Sequence, residues 1–220
     1  MRKFIRDLIA VFMLISVLLP TFFPTQTVNA AWRNYNRTEA VQYAKKWSNV
    51  SPYKNGYNPS WGNFSSMGGD CTNFVSQVLF AGGIPEDKSG SYQWYWDNMK
   101  PPSDGSGRSP SRSSSWAGVN ELYTYIKYNT QLNGPNGPRG DVYAKRENME
   151  LGDIVQMDFN KNGSWDHSAV VTEAYWSGVL WWRKYVVKVT YHQTDTLNRN
   201  LDDITNTNFR YIKIWGSDVK

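Results

Sequence analysis

Apolar residues recur along the chain with two periods, helical at first and alternating from about residue 151 onward. Between 36 and 48, Ala40, Tyr43, Ala44 and Trp47 fall at i, i+3, i+4 and i+7, behind Asn36 and a Glu39 three residues on. That spacing predicts a capped amphipathic helix. A second helix is predicted from a capping Asp70, with Cys71, Phe74, Val75, Val78 and Leu79 on one face and Gly82, Gly83 and Pro85 ending it. Trp116, Val119, Leu122, Tyr123 and Ile126 form the face of a third. After Leu151 the segments GDIVQMDF, HSAVVTEAYW, KYVVKVTYH and FRYIKIW are rich in β-branched and aromatic residues, with turn residues between most of them, and read as strands. Helices first and antiparallel strands after predict an α+β domain.

Two passages interrupt this order. The segment 101–115, PPSDGSGRSPSRSSS, has no apolar residue and reads as a mobile surface loop. What flanks it is too incomplete to fold alone, so it marks no domain boundary. A Gly/Pro-rich passage at 133–140 separates the third helix from the strands. At the start of the chain, Arg2, Lys3 and Arg6 precede an apolar run over 8–19 and a polar stretch ending Val-Asn-Ala at Ala30. This is the layout of a secretory signal peptide cleaved after Ala30; an uncleaved anchor is the alternative, though the run is short for a span of about 20 residues. The expected plan is therefore a signal peptide over 1–30 and one domain over 31–220, secreted and released or associated with the cell wall, with no stable membrane insertion after cleavage. Cleavage takes the formal charge from +5 to +3. That small surplus is compatible with anionic wall polymers, and the lack of charge runs or of a basic stripe interleaved with aromatics argues against a nucleic-acid partner. Eleven tryptophans and 14 tyrosines are assigned mostly to the core, though such residues also line grooves for sugars or peptides.

The single cysteine excludes an intramolecular disulfide, leaving a buried small hydrophobe or a reactive thiol. At the first turn of a helix, unpaired N–H groups and the helix dipole favour thiolate, and the same groups can receive an oxyanion. A nucleophile also needs a base, and the chain has only His167 and His192. His167 opens the strand HSAVVTEAYW and His192 closes KYVVKVTYH. If the reversal lies within 177–180, facing residues sum to 359 and the two histidines oppose each other, with Cβ atoms roughly 4.5–5.5 Å apart. One imidazole would then take the cysteine proton while the other orients it. Beside His167, the run DFNKNGSWDH places Asp158, Asn160, Asn162, Gly163 and Asp166 as in the first half of a calcium loop, but Ala169 stands where the bidentate Glu belongs. A tight Asn-Gly turn is the plainer reading, and a weak calcium site the alternative. No cofactor is otherwise required: no H-E-x-x-H supports zinc chemistry and no G-x-S-x-G supports a serine nucleophile.

Together, Asp70-Cys71-Thr72-Asn73-Phe74-Val75-Ser76-Gln77, Gly152-Asp153-Ile154-Val155, Asp166-His167-Ser168-Ala169-Val170-Val171 and Tyr191-His192-Gln193-Thr194-Asp195 resemble the secreted "putative amidase domain" family, which is itself similar to the NlpC/P60 and CHAP enzymes of the papain-like cysteine-peptidase class. The resemblance extends to Tyr43-Ala44 and Trp47 of the first helix and Trp116 of the third. It implies a papain-like fold, with Cys71 as nucleophile, His167 as base and His192 as the polar orienting residue, a place for which Asp195 competes. It implies amide hydrolysis through a thioester, with peptidoglycan-type stem peptides as substrate, by a monomer. A non-catalytic wall or glycan binder carrying a relic Cys/His set is the rival reading. An exposed thiol of low pKa would mark the enzyme, and a buried inert one the binder.

Overall fold

The computed structural model describes residues 31–67, 69–97, 112–129 and 136–219; the expected signal peptide and most of the serine-rich 101–115 segment lie outside the described residues. The elements in chain order are β1 (Ala31–Asn34), α1 (Arg37–Lys46), α2 (Cys71–Ala81), α3 (Ser114–Ala117), α4 (Val119–Tyr128), β2 (Arg139–Ala144), β3 (Ile154–Asp158), β4 (His167–Ser177), β5 (Lys184–Tyr191), β6 (Thr196–Asn200) and β7 (Asn208–Val219). The architecture is α+β, and every strand pairing in the seven-stranded sheet is antiparallel, in the order β1-β7-β3-β4-β5-β6 with β2 also on β7.

Helix α1 starts as its sequence requires, with the Asn36 side chain accepting the Glu39 N–H. The central strands read as continuous apolar runs because both faces of the sheet are covered. Ile154, Val170, Ile212 and Ile214 meet Phe74, Val75, Val78 and Leu79 of α2 in one core. Val155, Met157, Ala169, Val171, Val187, Val189 and Tyr191 form a second core on the opposite face, closed by Met149, Leu201 and Ile204.

Three strands and one helix break depart from the sequence reading. β6 and β1 end the sheet path, each hydrogen-bonded to one neighbour, and β6 (TLNRN) has no wholly buried residue, so neither carries a two-faced apolar run. β2 begins inside the passage read as a Gly/Pro separator and pairs with β7 through two register shifts, which blurs any alternation. The third helix is two, because Gly118 is extended (φ −99, ψ 132) between α3 and α4. The C-terminal end of the 101–115 segment is not loose surface: Ser113 and Ser115 are buried, and Ser113 bonds to the backbone of Tyr95.

The start of α1 is tied to the sheet by one guanidinium. Arg37 donates to the Leu151 and Ile214 carbonyls and, at 2.7 Å, to Asp153, whose side chain is fully buried. The Asp153 carboxylate also takes the N–H groups of Ile214 and Glu150. Just before it, Gly152 sits at φ +81, where an added Cβ would lie 2.7 Å from the Tyr35 hydroxyl. Burial raises the Asp153 pKa, opposed chiefly by the Arg37 charge. Arg37→Met is therefore expected to leave a buried, uncompensated carboxylate and to cost about 3 kcal/mol. In urea titrations the deficit relative to the parent should narrow as pH falls from about 7 toward 4, because Asp153 can then protonate; a deficit independent of pH would show that the lost charge pairing is not the cause.

Candidate active site

Cys71 is the first residue of α2, and nine consecutive residues, 71–79, are buried. The expectation of a single apolar face is thus replaced by a helix enclosed on all sides, which obliges its polar side chains to find partners. Asn73 donates to the Gly62 carbonyl and accepts from the Trp116 indole, Ser76 accepts from the Trp94 indole, and Gln77 accepts from the Tyr43 hydroxyl. Tryptophans 61, 94, 96 and 116 pack against one another over this helix, but Trp176, Trp181, Trp182, Trp215 and five tyrosines are exposed, so the tryptophans and tyrosines are not mostly core as expected.

Asp70 precedes Cys71 but does not cap with its side chain. Its carboxylate instead accepts from the Phe64 N–H and the Asn73 amide on Oδ1, and from His192 Nδ1 at 2.6 Å on Oδ2. The other ring nitrogen, Nε2, lies 2.6 Å from the Trp47 carbonyl. Both partners are acceptors, so each ring nitrogen is placed to donate. The ring is stacked between Tyr57 (4.0 Å) and Phe74 (3.9 Å), and His192 is 1% exposed. Asp195, the competing third member, holds the outer ring of this stack in place by accepting from the Tyr57 hydroxyl, and also accepts from Asn49.

The expected pairing of His167 with His192 across the hairpin is not observed. From the turn the ladder runs Ser177↔Lys184 to Glu173↔Lys188, then shifts at Thr172 to Val171↔Val189 and Val170↔Thr190. An unbroken ladder in the first register would have put both histidines on one face. The bulge changes the parity, and a one-residue slip moves side chains to opposite faces. A hydrogen bond between the Thr172 and Thr190 hydroxyls spans the bulge. His167 accordingly pairs with Met157 of β3 and packs edge-on against Tyr191 at 4.6 Å, beside the second core.

Cys71 and His167 are nevertheless neighbours through one peptide. The sulfur lies 3.8 Å from the Thr72 hydroxyl and within electrostatic reach of the backbone N–H groups of Thr72 and of Ser168, the residue after His167. His167 is buried, its Nε2 has no hydrogen-bond partner, and no hydrogen bond joins the ring to the thiol. Burial pushes the thiol pKa up, so the thiolate expected from the helix start is not the resting form: Cys71 is 4% exposed, and desolvation outweighs the N–H contacts. Burial, with the His192 charge second, lowers the His167 pKa to about 4.

A polar row unforeseen in the sequence runs sideways from the site. Thr72 donates to the Ser168 hydroxyl, which also accepts from the Gln156 amide, and Gln156 in turn accepts from Arg210 Nε at 2.6 Å. The Arg210 guanidinium lies over Tyr123 (3.9 Å) and Trp165 (4.4 Å). These residues lie on α2, β4, β3 and β7, so only strand order brings them together. In the 158–166 loop, Asp158 accepts from the N–H groups of Asn162 and Gly163 and from Asn208, and Asp166 accepts from the Phe159 N–H. A cation there would have to displace these donors. Among the described residues no group of three or more His, Cys, Asp or Glu side chains is placed to hold a metal, and no helix is long and apolar enough to cross a membrane.

Comparison with known proteins places this arrangement among relatives. The family described as "Putative amidase domain" matches residues 34–215. The chain is 32% identical over 140 residues to "Uncharacterized protein YhbB" of Bacillus subtilis (strain 168), covering 62% of this chain and 37% of that protein. It is 27% identical over 173 residues to "Uncharacterized protein YjcM" of the same organism, covering 76% of this chain and 32% of the relative. The chain thus spans about a third of the length of these curated relatives. No solved structure matches it.

The two buried histidines give separable predictions. His167 binds its proton near pH 4 when folded and near 6.5 when unfolded, so the unfolded state takes up more protons in between and stability falls as pH is lowered through that window. The loss attributable to it is on the order of 3 kcal/mol, and His167→Gln should remove that part of the slope in denaturation curves taken between pH 7 and 4. His192→Ala at pH 7 should cost about 3 kcal/mol by stranding the Asp70 carboxylate, whereas a change below about 1 kcal/mol would mean the pair is exposed in solution.

Proposed function

The chain belongs to the "Putative amidase domain" family, and on that premise we propose that it is a secreted, papain-like cysteine amidase acting on peptidoglycan-type peptides, with Cys71 as nucleophile, His167 as base and His192 as a positioning residue. The observation that carries the reading is the seat of the Cys71 sulfur. It lies at the start of α2 on the Ser168 N–H, one residue from an imidazole whose Nε2 is buried without a partner. An unpaired buried nitrogen costs on the order of 1–3 kcal/mol, so the ring gains when a proton donor reaches it. The cell-wall substrate and export rest on the NlpC/P60 and CHAP resemblance and on the 1–30 segment.

In this reading the Cys71 sulfur attacks the carbonyl carbon of the amide while its proton passes to His167, which burial holds neutral and therefore able to accept it. The carbonyl oxygen becomes an oxyanion facing the N–H groups at the start of α2. As the C–N bond breaks, His167 returns the proton to the departing amine. Water then attacks the thioester with His167 as base, releasing the acid and restoring the thiol. His192 acts at one remove, by holding Asp70 and so the first turn of α2.

The burial of Cys71 is the observation that favours the rival, a wall or glycan binder with an inert thiol. Mass spectrometry after treatment with an electrophilic peptidyl probe separates the two. Covalent capture at Cys71, abolished by Cys71→Ala and nearly abolished by His167→Ala, is expected, together with amine release from peptidoglycan. His192→Ala should lose on the order of 10²–10⁴-fold in rate and melt earlier. Capture that survives His167→Ala undiminished, or amine release that survives Cys71→Ala, would overturn the assignment.

A further inference from the structure

The hairpin joining β4 to β5 carries a run of four strongly exposed apolar side chains. Val179, Leu180, Trp181 and Trp182 are 70–85% exposed at its tip. The loop is shaped to show them. Leu180 adopts φ +49, the Trp182 N–H closes a short turn on the Val179 carbonyl, and Gly178 sits at φ +92, where a Cβ would lie 2.4 Å from the Trp182 carbonyl oxygen. A bulky residue in the left-handed region is costly, and a collapsed loop would hide the indoles. Neither the second core nor the helices use these four residues.

Behind the tip the chemistry changes. Trp176 meets Tyr185 edge-on at 5.1 Å, and the Arg183 guanidinium lies 5.1 Å from the Trp176 ring. From 174 to 191 the chain has Arg183, Lys184 and Lys188 and no Asp or Glu. Lys184 and Lys188 also reach Asp202 and Glu173, carboxylates outside that stretch, whereas Arg183 has no carboxylate partner among the described residues. An aliphatic and indole tip backed by amphipathic rings and cations is the layering of a lipid interface, where hydrocarbon takes the tip, Trp and Tyr sit at headgroup level, and anionic headgroups meet the cations.

We propose that this hairpin is a peripheral anchor for an anionic lipid surface. A sugar ring would stack on the flat indoles but gains nothing from Val179 and Leu180 at the apex. A protein partner takes about 20–30 residues a side, far more than a convex two-stranded tip offers. His167 starts the strand that ends here, so the candidate site stands roughly 30 Å from the anchor at about 3.3 Å per residue. An anchored molecule would hold Cys71 away from the bilayer rather than against it.

Radical footprinting of the full chain tests this residue by residue, independently of what the apolar 8–19 run does on a vesicle. With phosphatidylglycerol/phosphatidylcholine vesicles, Trp181 and Trp182 should oxidise about threefold or more slowly, while Tyr143, exposed on β2, keeps its rate as an internal reference. Equal rates with and without these vesicles would overturn the anchor. Equal protection by phosphatidylcholine alone would overturn its anionic preference. Protection that needs no lipid and grows with protein concentration would identify a second copy as the occupant, and protection by soluble peptidoglycan fragments but not by vesicles would identify a glycan surface; either result overturns the proposal.

Discussion

An imidazole held between a carboxylate and a carbonyl fixes the geometry on which the candidate site depends. His192 joins the residue just after α1, through the Trp47 carbonyl, to the residue just before α2, through Asp70, and does so from the residue that follows β5. With both partners about 1% exposed, the pair has no water to fall back on, and loss of either member strands a charge at a cost of roughly 3–5 kcal/mol. The same interaction has a second consequence. A carboxylate before a helix would ordinarily spend itself on the first N–H groups. By giving that carboxylate to His192, the fold leaves the first turn of α2 without a side-chain cap.

Enclosing α2 requires that Thr72, Asn73, Ser76 and Gln77 be satisfied away from water, and indole N–H and phenol O–H groups meet that requirement at three of these positions. Trp116 serves Asn73, Trp94 serves Ser76 and Tyr43 serves Gln77, while Thr72 turns to Ser168 of the sheet. These three rings bring apolar mass and one donor each to a buried polar helix, which accounts for part of the aromatic abundance. What this does not explain is the hairpin tip, where Trp181 and Trp182 contact neither core.

The α+β plan was legible because its long elements carry strong local signals: the Asn36 cap, the helical spacing before Ala81 and the β-branched runs after Leu151. β1, β2 and β6 were not, since their pairing is set by β7 and β5 rather than by their own alternation. Cys71, His167 and His192 were expected to converge with the two rings paired; the structure instead sets His192 on Asp70 and His167 against Tyr191. A single bulge at Thr172, invisible in a run of alternating apolar residues, changed the parity of the hairpin and separated the two rings. Asp70 looked like a cap because Asp before a helix usually is one. Its partner lies 122 residues away, beyond anything a local pattern can encode.

The protonation of the pair at rest bears on how such a site could work. Burial moves the Cys71 thiol up and the His167 imidazole down, both away from a thiolate–imidazolium pair. On the imidazole side alone, a drop from 6.5 to about 4 disfavours the charged ring by roughly 3 kcal/mol. Proton transfer from Cys71 to His167 is therefore uphill before anything binds. One well-placed oxyanion donor contributes about 2.7–4 kcal/mol, the same scale as the imidazole penalty. On the proposed reading the start of α2, which has no side-chain cap, supplies such a donor to a bound carbonyl, and charge separates when the substrate supplies the oxyanion, and not before.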